Sequence, residues 1–346
     1  MASRRGLTRS CFPGTESLAR PVAGAAVPTY AELLTRSDGP PGSCWGVFGP
    51  KDELGAVNFL TPERVLDGVG SVRQGRVFNL DYPINHFDPS PSGFRTAAKH
   101  TIFEYRPNHN DDYLDGLYLQ GTSQIDGLRH VAHHVYGYYN FAAGERLIPG
   151  DPTLGVSRWA DHGLVGRGVL LDVARHRRSL GQPLDHSESE PIGPELLEET
   201  AAAQGVDVKP GDLVLIRTDW PAHFAAHREH DFELARREAG LEQSHKLVAW
   251  LWDHQVPLVA ADNFALEAYP DSADSPFAEV HNGEQIDGLI HPHLIAMLGL
   301  VVGELWNLDE LADACSKDGV YEFLAVCKPL NLIGGVGSPA NAMAIK

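Results

Sequence analysis

The chain is poor in cysteine and in positive charge, and it has no long apolar run. Four cysteines occur in 346 residues, at positions 11, 44, 315 and 327, and no two have the Cys-x-x-Cys spacing. That pattern excludes a disulfide framework and a zinc ribbon, and free thiols point to a cytoplasmic protein. Lys and Arg number 28 against 46 Asp and Glu, a net charge of −18. Such an excess of negative charge argues against nucleic acid and anionic membrane surfaces as partners. No apolar stretch approaches the roughly 20 residues that a membrane span needs. Residues 1–26 contain no apolar signal core, and their Gly, Pro, Ser and Ala content predicts a flexible N-terminal arm. Gly334-Gly335-Val336-Gly337 has no helix after it, which excludes a phosphate loop; these glycines are expected to permit a tight path with positive φ.

The remaining composition is that of a globular protein. The hydrophobic fraction is 43%, and a chain of this length can bury about three quarters of its unfolded surface. Residues 28–37 predict a short helix, and Thr61-Pro62-Glu63 opens a second with a cap, a first-turn proline and an acid at its positive end. Strands are expected at 76–80, 117–126, 168–173, 213–217, 258–260, 300–302 and 321–326. Helices are expected at 195–204, 242–254 and 294–298. Residues 85–98 read as a Pro/Ser/Gly-rich surface loop. The alternation in the second half predicts a mixed α/β core with no internal repeat and no domain linker.

The stretch from Leu119 to His130, LQGTSQIDGLRH, concentrates groups that can bind an ion or move a proton. On an extended segment Gln120, Gln124 and Asp126 point to one side, and a turn at Gly127 would bring His130 back toward them. So many buried polar groups need partners. The alternative is an edge strand with a solvated polar face. Elsewhere, His223, His227 and His230 read as a solvated helix face. Arg217 is expected in an internal salt bridge, and Tyr113 and Trp306 in packing. Asp262, Asn263 and Glu267 follow an apolar strand, where α/β proteins place binding loops.

The segment resembles the signature of the cyclase family, His-x-Gly-Thr-His-x-Asp-x-x-x-His, which includes kynurenine formamidase, isatin hydrolase and a group of gamma-lactamases. Asp126 takes the Asp position and His130 the final His. Gln120 and Gln124 fall where that family has its two early metal-binding histidines. Trp45-Gly46, Asp52 to Asn58, Gly166 to Asp172, Gly211 to Thr218, Ala261-Asp262-Asn263, His291 with Leu294-Ile295, Glu304 and the Gly334 to Pro339 tail are similar to further elements of the longer branch. The resemblance implies a single compact domain over residues 27–346, with layered mixed β-sheets flanked by helices, of the swivelling β/β/α kind.

It also implies a site. Asp126, His291 and Glu304 would hold one divalent metal, with Gln120 and Gln124 as supporting oxygen donors and His130 as the general base beside Asp126. His293 competes with His291 for the late position. The charge of −2 on Asp126 and Glu304 balances one divalent ion, and a donor set rich in oxygen suits Mn²⁺ at least as well as Zn²⁺. Trp45, Phe48, Tyr118, His134 and Asp262 are expected to contact substrate. The implied activity is hydrolysis of an amide, lactam or lactone in a small ring-containing molecule, by a homodimer or homotetramer. Two alternatives stand beside it: a metal-free cyclase or dehydratase of secondary metabolism, and a non-catalytic small-molecule-binding relative.

Overall fold

A computed structural model describes residues 27–281 and 283–346; the arm expected over residues 1–26 lies outside them. In chain order the strands are β1 (Val77–Asn79), β2 (Lys99–Arg106), β3 (His109–Asp115), β4 (Gln124–Asp126), β5 (Leu164–Leu171), β6 (Pro191–Ile192), β7 (Leu213–Ile216) and β8 (Gly240–Leu241). They continue as β9 (Leu258–Ala261), β10 (Glu279–His281), β11 (Glu284–Ile286), β12 (Val301–Glu304), β13 (Glu322–Cys327), β14 (Gly337–Pro339) and β15 (Ala342–Ile345). Nine form one mixed sheet in the order β1-β15-β13-β5-β7-β9-β12-β4-β14, and the other six make three small two-stranded sheets.

The centre of the large sheet, β5-β7-β9-β12, is parallel. β7, β9 and β12 are buried at every position, and β5 at all but Val165. That is why these segments read as continuous apolar runs, since helices cover both faces of a parallel sheet. Arg167 breaks the apolar run of β5, and it is buried with charge partners in Asp212 and Glu322. The helices carry the expected end signals. Thr29 and Glu32 form a capping box on Tyr30–Thr35, Ser244 caps His245–Asp253, and Pro194–Gln204 ends at Gly205 in the left-handed region. Two predicted boundaries move: Asp172 caps a helix, Val173–Ser179, instead of ending β5, and residues 294–298 lie in a π-helical turn, Pro292–Met297. Among the described residues, no helix is long and apolar enough to cross a membrane.

Two differences from expectation have clear causes. The strand predicted over 117–126 shrinks to β4, because Tyr118 to Gly121 close a turn. Residues 99–115, left without an assignment, form the hairpin β2–β3, almost wholly exposed on both faces, so no burial pattern marks it in the sequence.

Functional placement depends on β12. It runs parallel to β9 and antiparallel to β4, and Glu304 at its end stands directly opposite Gln124. Gly303 allows the close approach: a Cβ there would sit 2.5 Å from Ala260 Cβ and 2.9 Å from Trp306 Nε1. Trp306 in turn donates from Nε1 to Gln124 O at 2.9 Å. Gly303→Ala is therefore expected to cost about 1–3 kcal/mol by overpacking, read as a lower denaturation midpoint. An unchanged midpoint would show that the β9–β12 contact is not tight.

Candidate metal and catalytic site

Directly opposed residues on antiparallel strands point to the same side, and so do alternate residues along one strand. Gln124 and Glu304 therefore share a face with Asp126. Gly337 on β14 lies opposite Asp126, and the Gln120 amide fills the space where a side chain at 337 would go, 2.6 Å from its would-be Cβ. Gln120 thus reaches this face from the turn before β4, not by strand alternation, and it makes no hydrogen bond to Asp126.

His291 arrives from the segment just before the π-helical turn. Its Nε2 lies 3.1 Å from Glu304 Oε1, and its Nδ1 donates to Glu267 Oε1 at 2.6 Å. Glu267 is fully buried; its second oxygen accepts from Ile290 N at 2.7 Å and from Gln243 Nε2 at 3.0 Å. With Nδ1 committed to Glu267, Nε2 is the nitrogen turned toward Glu304, and on losing its proton it could offer a lone pair to a cation there. One donor atom each from Asp126, His291 and Glu304 falls within 4.8 Å of the others, and all three residues are buried.

Asp126, His291 and Glu304 are a cluster that could hold a cation, and their electrostatics fit one. Asp126 is 1% exposed, yet neither carboxylate oxygen has a hydrogen-bond partner. Burial, and then the neighbouring Glu304, push its pKa well above the usual range. Gln124 donates its amide N–H to Glu304 and leaves its own carbonyl oxygen buried and unpartnered. Burial works against the charged form of His291, but Glu267 and Glu304 outweigh it and raise its pKa. A buried carboxylate with two orphaned oxygens is costly, and a divalent ion bound by one imidazole, two carboxylates and an amide oxygen removes that cost. The donor set fits a hard or borderline cation.

His130 Nε2 is 3.7 Å from Asp126 Oδ2, and burial lowers its pKa to about 4, so the imidazole is neutral near pH 7. His130, His291 and Glu304 line a cavity of about 550 Å³ with Arg95, Phe264 and Tyr269 among its other walls. His134 also lines it, with its Nε2 3.2 Å from Glu279 Oε1 on β10. His293 points elsewhere, its ring tilted against Phe277 at 4.1 Å and edge-on to His133.

Other expected contacts do not reach the cavity. Trp45 is buried in the core and donates to Ala296 O, and Phe48 packs edge-on against Phe59. Large aromatics near a binding signature served packing instead. Tyr118 is exposed outside the cavity, edge-on to Phe94 on its rim. Asp262 is consumed by Thr218 and the Asp219 N–H, beneath Arg217, whose ion pairs with Asp172, Asp219 and Asp309 are the internal network expected. His223 is half-buried against Leu234 O and His186, not solvated. Of the Gly334 to Gly337 run, only Gly334 has positive φ, at +70°. Sequence reasoning placed Glu267 in a plausible loop but missed its bond to His291. It missed Arg95 and Arg236 altogether, since an arginine in a polar loop or short helix looks like any surface cation.

Comparison with known proteins supplies context for this geometry. The family model described as "Putative cyclase" matches residues 78–268. A crystal structure of a novel cyclase superposes with a TM-score of 0.72 at 29% identity, covering 88% of this chain and 99% of that one. Isatin hydrolase A from Labrenzia aggregata, bound to benzyl benzoate, gives 0.52 at 14% identity over 82% of this chain and 97% of that one. Isatin hydrolase A from Ralstonia solanacearum gives 0.50 at 19% over 82% and 98%. A search of curated protein sequences finds no match.

The Glu267–His291 bond is open to direct test. Glu267→Gln places an amide N–H against the Ile290 N–H and removes the charge facing Nδ1. Affinity for Mn²⁺ should fall about 10- to 100-fold, measured by titration on protein whose circular dichroism is unchanged. Undiminished affinity would mean that Glu267 does not orient His291 for an ion.

Proposed function

The chain belongs to the cyclase family, and we propose that it hydrolyses an amide, lactam or lactone bond in a small ring-containing molecule. The observation that carries this reading is the buried, unpartnered carboxylate of Asp126, set beside His291 and Glu304 next to an open cavity. Two proteins that share the fold are named isatin hydrolases, and hydrolysis is the reaction class carried over here.

Asp126, His291 and Glu304 would hold a single divalent ion, Mn²⁺ or Zn²⁺, with the Gln124 carbonyl oxygen completing the set and Gln120 in support. Such an ion supplies Lewis-acid polarisation of a carbonyl and a water acidified from 15.7 toward about 7. The protein's own residues do the rest. Glu267 fixes the ring of His291. His130, beside Asp126, accepts the proton from the attacking water and returns it to the departing nitrogen or oxygen. Phe264 and Tyr269 give the cavity flat apolar walls suited to a ring, and His134 reaches its rim.

Two measurements test the reading together. The purified protein should carry about one divalent ion per chain, and it should open isatin or a simple aryl lactam or lactone. His130→Ala should then lower turnover by about 10²-fold or more with the ion retained. A folded protein without an ion would return the assignment to a metal-free cyclase or a binding protein. Unchanged turnover in the variant would remove His130 from the chemistry.

A further inference from the structure

The cavity wall holds two arginines, in a protein whose net charge is −18. Arg95 donates to Gln120 O, and its charge bears on both Asp126 and His130, which puts it at the reacting end. Arg236 stands on the wall formed with Phe264 and Tyr269. It comes from a short helix, Phe232–Arg236, and its guanidinium carbon lies 5.5 Å from the ring centre of Tyr269 and 5.9 Å from those of Phe232 and Phe264.

Three aromatic neighbours hold the position of the guanidinium but leave its hydrogen-bonding capacity unspent. Its Nε is buried and has no partner, and one terminal nitrogen donates to Tyr269 Oη at 3.2 Å. Its ion pair with Glu233 is long, at 3.6 Å, and Glu233 is 83% exposed, so it is worth little. Asp287 is the one lining carboxylate outside the triad, and it makes no ion pair among the described residues. The terminal nitrogens of Arg236, on the wall of an aromatic-lined cavity, match a planar anion carried on a ring.

We propose that Arg236 is a specificity-determining residue that seats a carboxylate on the ring-bearing substrate, where Phe264 and Tyr269 form the cavity wall. The substrate class is then an anionic cyclic amide or ester: the scissile carbonyl meets Asp126, His130, His291 and Glu304, and the acid group meets Arg236. This rests on the hydrolase reading for the word substrate but not for the binding seat, so the test uses binding as well as turnover.

Benzenesulfonate, a ring-borne anion whose sulfonate oxygens accept from a guanidinium and which ligates metals poorly, is titrated calorimetrically into the metal-free and the Mn²⁺-loaded chain, with neutral benzenesulfonamide as its match. The sulfonate should bind both forms at least about tenfold more tightly than the sulfonamide, and Arg236→Gln should remove that preference. Arg236→Lys should recover part of it, and Mn²⁺ affinity should be unchanged in both variants, which excludes a folding defect. In turnover, Arg236→Gln should raise KM for a carboxylate-bearing aryl lactam while leaving kcat and the neutral lactam unaffected. Equal affinity for the two probes in the wild-type chain, or an undiminished preference in Arg236→Gln, would overturn the proposal. Sulfonate binding through Arg236 in a chain that hydrolyses neither lactam would uphold the anion seat and overturn the hydrolase reading alone.

Discussion

The antiparallel pairing of a three-residue strand, β4, with the end of a parallel strand, β12, is the constraint on which the rest depends. It sets Gln124 opposite Glu304 and carries Asp126 onto the same face. The pairing seals this face from water, so Asp126 loses solvent without gaining a donor. Two carboxylates at that distance from one imidazole are mutually repulsive, and the rise in the Asp126 pKa expresses that repulsion together with burial. The fold tolerates the arrangement because the surrounding core is extensive: β7, β9 and β12 are buried along their whole length. A cation held between these groups would offset that local cost.

Around that pair the neighbouring elements supply what the strands cannot. The loop after β9 brings Glu267 beneath His291, where its four hydrogen bonds fix an imidazole that no regular element would orient. This loop also places Phe264 and Tyr269 on the cavity wall, so one segment both orients His291 and shapes the cavity. Crevices beyond the carboxyl ends of parallel strands are where open α/β sheets accommodate ligands, and β12 delivers its last residue, Glu304, there while the loop after β9 supplies Phe264 and Tyr269. Arg236, packed on two aromatics of that same loop, ties selection of the substrate to the element that orients His291.

Much of this was readable from residues alone, for definable reasons. β7 and β9 announce themselves because burial on both faces demands an unbroken apolar run, and β5 does so over Val169 to Leu171, beyond Arg167. Asp126, His291 and Glu304 were nominated by resemblance to a family signature and not by periodicity, and the fold brings the three together. The choice between His291 and His293 needed coordinates, since the two lie two residues apart and only the turn decides which one faces Glu304. Gln120 was expected on a strand, but the turn at Tyr118 to Gly121 ends the alternation before it. Trp45 and Phe48 lie close in sequence to signature elements yet serve the core. The exposed hairpin β2–β3 carries no burial pattern, and the long-range meeting of Glu267 with His291 leaves no local trace.

The most direct test is thermal unfolding of the wild-type chain and of Asp126→Asn, each measured metal-free and with excess Mn²⁺. If the orphaned carboxylate is a ligand without its ion, the variant should be the more stable of the two metal-free proteins, because it buries an amide in place of an uncompensated charge. Mn²⁺ should raise the midpoint of the wild type, as any ligand that binds only the native state does, and should leave the variant where it was. A metal-free variant less stable than the wild type, combined with an equal Mn²⁺ shift in both proteins, would contradict the account.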